Sequence, residues 1–307
     1  MITGRDGQLG RCLVSLIEAD ASEDLVAAFG HAELDVADEQ QVSSVFDRLT
    51  GGVDVVVNAA AFTAVDRCET EAAQAFSVNG EGPAILGRAC QALGASLVHV
   101  STDYVFDGAG QVPYPEDHPR APRCVYGQSK AEGESRLLDL MPEALVVRTS
   151  WLFGPGRNFV VAIMDQAAMR REGRAVGPLQ VVSDQRGTPT YAGDLAEGLV
   201  VLGRMMGGAD RSAAQTDAPR GLLHLTNSGE TTWFAFARAI LDLTGYDEIA
   251  IEATSTASLN LPATRPAYSV LDCARARALG IELRNWQSAL ADYVDVESAR
   301  GVAEGGS

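Results

Sequence analysis

Four short, almost continuously apolar runs alternate with helical patterns through the first half of the chain, and this rhythm constrains the fold more than any other feature. The runs are LVAAF (25–29), VDVVVN (53–58), SLVHVS (96–101) and ALVVRTS (144–150). A strand covered on both faces reads as such a run, whereas a strand with one wet face alternates apolar and polar residues. Between the runs, Leu9, Leu13, Leu16 and Ile17 fall on one face of a helix, and 39–49, 71–92 and 127–140 carry the same helical spacing. Strands alternating with helices form crossovers, so the sequence predicts an α/β protein with a Rossmann-like, doubly wound parallel sheet.

After Trp151 the texture changes. FGPGRN leads into a predicted helix near 158–172, a loop through SDQRGTPT, a helix near 193–206 and a strand in GLLHLTN (221–227). Residues 207–220 read as a flexible surface loop, and GVAEGGS at the end reads as a frayed tail. Residues 1–150 are expected to form a dinucleotide-binding domain to which 190–227 returns. Residues 151–189 and 228–307 are expected to form a smaller, mixed C-terminal lobe. The segment NWQSALADYV (285–294) places Trp286, Leu290 and Tyr293 on one face and reads as packing within that lobe.

Gly4, Gly7 and Gly10 form GRDGQLG just ahead of the first helical pattern. Glycines at that spacing permit positive φ, let a pyrophosphate approach the backbone and allow the helix to pack closely, while the helix N-terminus faces the phosphates. Only Met1, Ile2 and Thr3 precede Gly4, shorter than the ~5 to 6 residues of an ordinary strand, so the central first strand is expected to be clipped or its start misassigned. In ELDVAD (33–38), Asp35 either meets the adenine side of a dinucleotide or caps the next helix. The second run ends on Gly30 and His31, with no Asp or Glu there for a ribose 2′-hydroxyl, and Arg5 inside the loop is a candidate partner for a 2′-phosphate. These residues favour NADPH, with NADH as the alternative.

The formal net charge of −17 repels nucleic acid and anionic membranes, and the arginines are dispersed. Neither is expected as a partner. An anionic ligand must therefore be held locally by helix N-termini, backbone amides and single arginines. No run of eighteen apolar residues and no signal-peptide pattern is present, which points to a cytoplasmic protein. The five cysteines lack CxxC spacing and the four histidines lack HExxH or HxH spacing, so no metal site is expected; a structural Mg²⁺ and a homodimer are left open.

Lys130, in CVYGQSKAEGE (124–134), is the sole lysine among 24 basic residues, and Tyr126 lies four positions before it. Positions i and i+4 share a helix face, and a compact ammonium beside a phenol is expected to lower the phenol's pKa from its usual ~10. Lysine also suits ribose hydroxyls, where a planar guanidinium fits poorly.

GRDGQLG, NAAAFTAVD (58–66), STDYVFDG (101–108), VYGQSKAEGE (125–134), RTSWLFG (148–154) and SDQRGTPT (183–190) together resemble the extended short-chain dehydrogenase/reductase superfamily, and within it the dTDP-4-dehydrorhamnose reductase family. The resemblance spans nearly the whole chain in order. It implies catalysis by Thr102, Tyr126 and Lys130, with hydride delivered to C4 of a 4-keto-deoxysugar and a proton from Tyr126, giving dTDP-L-rhamnose. Without it, Thr102 reads first as a turn or helix cap. The resemblance further implies that Gly4, Gly7, Gln8, Leu9 and Gly10 cradle the pyrophosphate, that Asp35 and Val36 flank adenine, and that Ala59, Ala60 and Ala61 flank the riboses. Asn79 matches a cofactor-side asparagine or serves as a loop hydrogen-bonder. Asp103, Tyr104 and Trp151 match substrate-facing positions, though Trp151 also suits a core. Asn158 and Arg265, the latter in TRPAYSVLD (264–272), are the candidates for the nucleotide diphosphate, with a surface salt bridge as the other reading of Arg265.

Two rival readings remain at this level. One is a related reductase or epimerase of GDP- or UDP-sugars. The other is a non-catalytic regulatory subunit of the methionine adenosyltransferase type, against which Thr102, Tyr126 and Lys130 count.

Overall fold

The computed structural model describes residues 1–20, 25, 27–49, 52–207 and 218–305, with side chains to 296. The order is β1 (Ile2–Thr3), α1 (Gln8–Ala19), β2 (Ala28–Phe29), α2 (Glu39–Arg48), β3 (Val55–Asn58), α3 (Val65–Thr70), α4 (Ala72–Ala75), a π-helical turn (Phe76–Glu81), α5 (Gly82–Leu93), β4 (Ser96–Thr102), α6 (Val125–Leu140) and β5 (Leu145–Thr149). There follow β6 (Leu152–Phe153), α7 (Phe159–Arg171), β7 (Leu179–Val182), β8 (Arg186–Gly187), β9 (Thr190–Tyr191), α8 (Ala192–Gly207), β10 (Gly221–His224), β11 (Thr231–Thr232), α9 (Trp233–Leu243), β12 (Ile251–Thr254), α10 (Ala274–Ala278) and α11 (Trp286–Gly305).

Six strands form one sheet in the order β10–β5–β4–β3–β1–β2, every neighbour parallel. The order reverses between β1 and β3, and such a reversal opens a crevice at the carboxyl ends of the strands. Alternation along each strand sends successive residues to opposite faces. Val56 and Leu97 join Val42, Phe46, Leu86 and Leu137 in one core, while Val57 and Val98 join Leu9, Leu13, Leu195 and Leu199 in the other. A sheet covered on both sides by helices explains why the strands read as unbroken apolar runs. A third cluster, including Phe153, Phe236, Trp286, Leu290 and Tyr293, forms the core around α7, α9 and α11.

Several expectations are adjusted. The central β1 is two residues long, yet it is paired on both sides: Thr3 lies opposite Phe29 and Asn58. The 25–29 run contributes only Ala28–Phe29 as strand, and Val26 lies outside the described residues. The helical pattern of 71–92 is broken by the π turn around Asn79, where α6 packs so closely that a Cβ on Gly133 would lie 2.0 Å from Asn79 O. Residues 208–217 of the expected surface loop lie outside the described residues. The C-terminal helix continues to Gly305, through a stretch expected to fray from 301. Among the described residues, no helix is long and apolar enough to cross a membrane.

Candidate active site

The glycine loop turns the chain from β1 into α1. Gly4 sits at φ +76°, and a Cβ there would lie 2.6 Å from Ala60 N. A Cβ on Gly10 would lie 2.1 Å from Gly4 O, so the third glycine lets α1 close onto the loop. Gly4 and Gly7 face Asp35, Val36, Ala59, Ala60 and Ala61 across a cavity of about 300 Å³ at the strand-order reversal. This cavity, with its glycine floor and the N-terminus of α1 beside it, fits the adenosine and pyrophosphate of a dinucleotide. Leu9 is buried in the core beneath the sheet and supplies packing. Gln8 Oε1 is buried without a hydrogen-bond partner in the first turn of α1. Asp35 does not cap the next helix: its Oδ1 accepts from Ala37 N at 2.9 Å in a local turn, and the cap of α2 is Asp38, which accepts from Gln40 N and Gln41 N.

Arg5 lies apart from this cavity wall. Its Nη2 donates to Glu33 Oε1 at 2.9 Å and its Nη1 to Ala28 O at 3.0 Å. Glu33 Oε2 in turn accepts from Gly30 N at 2.9 Å. The end of β2 is therefore not free of acid, as the sequence reading had it: a turn over 31–33 folds Glu33 back onto Gly30. The missed signal is an acidic residue three positions beyond Gly30, within reach of a tight turn.

Thr102 ends β4, and its hydroxyl accepts from Tyr104 N at 3.2 Å while donating to Asp103 Oδ1 at 3.0 Å. It is both a cap and a buried hydroxyl at the carboxyl edge of the sheet. Asp103 Oδ2 is buried without a partner, and burial pushes this carboxyl up to about 6. Tyr126 opens α6 and meets Tyr104 edge to face, with ring centroids 5.5 Å apart. A Cβ on Gly127 would lie 2.2 Å from Tyr104 O, so this glycine lets the start of α6 approach the Thr102–Tyr104 turn.

The expectation that an ammonium lowers the Tyr126 pKa is corrected. Desolvation raises it above its usual value, with Thr102 pulling the other way as a hydrogen-bond partner. Lys130 shares the helix face of Tyr126, but its long stem runs inward to β4. There Nζ donates to Val100 O at 2.6 Å and lies 3.2 Å from His99 Nε2. Burial lowers Lys130 to about 8, opposed by Glu134. Asn79 bonds Phe62 through both its oxygen (2.8 Å) and its nitrogen (3.0 Å) and donates to Ser129 Oγ at 3.1 Å. It thereby ties the loop after β3 to α6, the loop-bonding role.

Trp151 follows β5 at φ +45°, a left-handed conformation rare for a bulky residue and costing of order 1–3 kcal/mol. Its indole stacks on Trp233 with centroids 3.7 Å apart, and a Cβ on Gly187 would lie 2.4 Å from its ring. Gly187 of the SDQRGTPT segment is thus the space the indole needs. Gln185 of the same segment accepts from Trp233 Nε1 at 3.0 Å. Trp233, unnoticed in the sequence, forms half of this platform.

Asn158, expected at the diphosphate, is corrected to a helix cap. Its oxygen accepts from Val160 N and Val161 N, and its nitrogen donates to Gly154 O, Gly156 O and Tyr293 Oη, which uses its amide fully. Arg265 bonds Asp66 Oδ2 at 2.8 Å and Ala263 O at 3.0 Å, with 14% of its side chain exposed. It bears on the phenol of Tyr104, whose pKa it draws down against burial. Among the described residues, no three His, Cys, Asp or Glu side chains gather as metal ligands.

A parallel sheet whose strand order reverses over a glycine loop, with a Thr, Tyr and Lys set at the carboxyl end of β4, defines an oxidoreductase of the extended short-chain dehydrogenase/reductase class. Residues 1–298 match the family described as RmlD substrate binding domain, and the chain belongs to that family. It is 44% identical over 295 residues to a Streptomyces griseus protein named dTDP-4-dehydrorhamnose reductase, covering 95% of this chain and 91% of that one. It is 43% identical over 303 residues to a Streptomyces antibioticus protein named "Probable dTDP-4,6-dihydroxy-2-methyloxan-3-one 4-ketoreductase", covering 97% and 96%. The fold matches the crystal structure of a dTDP-4-dehydrorhamnose reductase from Clostridium acetobutylicum with TM-score 0.84 at 35% identity, covering 97% of this chain and 98% of that one. It matches the Bacillus anthracis dTDP-4-dehydrorhamnose reductase in complex with NADP with TM-score 0.81 at 32% identity, covering 95% and 97%.

Proposed function

We propose that the chain reduces the C4 keto group of dTDP-4-dehydro-L-rhamnose with NADPH, giving dTDP-L-rhamnose, in the cytoplasm. Residues 1–150 with 190–227 hold the dinucleotide, and 151–189 with 228–307 hold the sugar nucleotide. The nicotinamide supplies the hydride when bound. Gly4, Gly7 and Gly10 give the pyrophosphate access to backbone amides, Asp35 and Val36 flank the adenine, and Ala59 to Ala61 flank the riboses. Thr102 hydrogen-bonds the carbonyl oxygen, and Tyr126 gives it a proton as negative charge develops. The Trp151–Trp233 platform faces the sugar, and Arg265 serves the diphosphate by exchanging Asp66 for phosphate oxygens.

The observation that carries this reading is the placement of the Tyr126 phenol, edge to face with Tyr104 and beside the buried Thr102 hydroxyl at the carboxyl end of β4. The raised pKa keeps the phenol protonated in the neutral range but makes it a weaker acid, so the transfer depends on the negative charge that develops on the substrate oxygen. The test follows reduced-nicotinamide absorbance with dTDP-4-dehydrorhamnose, for wild type and Tyr126→Phe. Removing the acid is expected to lower kcat by about 10²–10⁴. Consumption of NADPH with GDP- or UDP-keto sugars and none with the dTDP sugar defeats the substrate assignment, and equal rates for the two proteins remove Tyr126 from its role.

The Streptomyces antibioticus relative supports a second reading, reduction of another dTDP-linked keto sugar. Parallel kcat/KM measurements on the two dTDP sugars separate them.

A further inference from the structure

A chain of hydrogen bonds runs from β1 through β3 and β4 to α6, and its donors can be counted. Asn58 Oδ1 accepts from Thr3 Oγ1 at 2.7 Å and from Ala60 N at 3.1 Å. The backbone N–H fixes the orientation of this amide, since a nitrogen in that place would set donor against donor. Asn58 Nδ2 therefore donates to His99 Nδ1, 2.9 Å away. His99 is fully buried, and burial is the main cause that holds its pKa well below the usual value, so the ring carries one proton. With Nδ1 accepting, that proton is on Nε2, 3.2 Å from Lys130 Nζ. Nζ must then present a lone pair to His99 while donating to Val100 O at 2.6 Å.

We propose that His99 is a positioning residue whose Nε2–H, oriented by Asn58, favours the neutral amine of Lys130, so that Lys130 takes up and releases a proton instead of remaining a fixed cation. Charging Lys130 forces His99 Nε2 to accept. The ring proton then moves to Nδ1, where it faces Asn58 Nδ2, and the chain loses one bond. Burial of Lys130 acts in the same direction, and the amine is lowered to about 8. The charged and titratable groups around it are His99 from β4, and Glu134 and Tyr126 from its own helix. Glu134 is already engaged by Arg148 of β5, by Arg120 and by Ser101 Oγ. Asp103 and Cys68 bear on Tyr126.

The lone lysine makes the test direct. Protein labelled with ¹³C,¹⁵N-lysine has one lysine side-chain signal, and ¹⁵N-histidine reports the His99 tautomer. In the wild type, the lysine midpoint is expected near 8, with His99 as the Nε2–H tautomer on the alkaline side and a switch to Nδ1–H at the same midpoint. A lysine signal that stays ammonium to about pH 10, or an Nδ1–H tautomer at every pH, overturns the proposal. Asn58→Asp supplies only acceptors, so it is expected to hold His99 as Nδ1–H and raise the lysine midpoint by about one pH unit or more; a folded variant with an unchanged tautomer also overturns it. The catalytic meaning rests on the proposed reductase reading. There the alkaline limb of kcat/KM is expected to track the lysine midpoint in both proteins, and an unlinked limb removes the catalytic part. The titration is read without substrate, so absence of activity on dTDP-4-dehydrorhamnose counts against that reading alone.

Discussion

Glu134 and Arg148 bind each other through two parallel hydrogen bonds, Nε to Oε1 at 2.8 Å and Nη2 to Oε2 at 2.7 Å, with neither side chain reaching solvent. The pair joins α6 to β5 behind the Thr102–Tyr104 turn. Glu134 also accepts from Ser101 Oγ at 2.6 Å, one residue before Thr102. Removing one partner of such a pair strands a buried charge, typically at a cost of 3–5 kcal/mol. Glu134→Gln is therefore expected to lose about that much stability in urea unfolding. A loss below about 1 kcal/mol, the range of surface pairs, would show that the charges are solvated.

Asp103 is expected to make the fold less stable at neutral than at mildly acidic pH. Its carboxyl is raised from an ordinary 3.8 to about 6 by burial. Between those values the folded chain binds more protons than the unfolded chain, so this contribution falls as pH rises through the window. The shift of roughly two pKa units amounts to about 3 kcal/mol, fully developed above the folded value. Asp103→Asn should therefore be more stable than wild type by up to about 3 kcal/mol at pH 8 and nearly equal to it below pH 4. Urea melts at the two pH values check the sign. The gain should be accompanied by weaker sugar-nucleotide binding if Asp103 faces substrate.

The Arg5–Glu33 contact predicts a lever on cofactor choice. Glu33 pairs with Arg5 at 2.9 Å and places a carboxylate at the end of β2, which would repel a 2′-phosphate held there. Glu33→Gln should raise the ratio of kcat/KM for NADPH over NADH by about tenfold, equivalent to about 1.4 kcal/mol. Arg5→Ala should lower the same ratio. Parallel changes with both cofactors would mean that neither side chain meets the 2′ position.

Gly187→Ala tests the indole platform. Its new methyl would overlap the Trp151 ring, which has Trp233 on one face, so the stack must shift. We expect altered tryptophan fluorescence, a loss of about 1–3 kcal/mol, and a KM for the sugar nucleotide raised more than kcat is lowered. Unchanged fluorescence and KM would remove the platform from substrate binding.

The βαβ order, the parallel strands and the helix faces of Leu9/Leu13 and Trp286/Leu290/Tyr293 were readable in the sequence because burial on one or two faces imposes a period on neighbouring residues. The glycines of GRDGQLG and the Tyr126–Lys130 spacing were legible because each set lies within a few consecutive residues of chain. Contacts between distant segments carry no such period. Glu33 folding back on Gly30, Asn158 closing a cap with Tyr293, Trp233 under Trp151 and Lys130 turning to His99 were decided by how helices and strands pack. The type of residue at each site was set by local sequence, whereas the direction of each side chain and the solvation of each charge were set by tertiary structure. Desolvation depends on what lies across the sheet, and for that reason the proton on Tyr126 and the charge on Lys130 could be assigned only after the chain was folded.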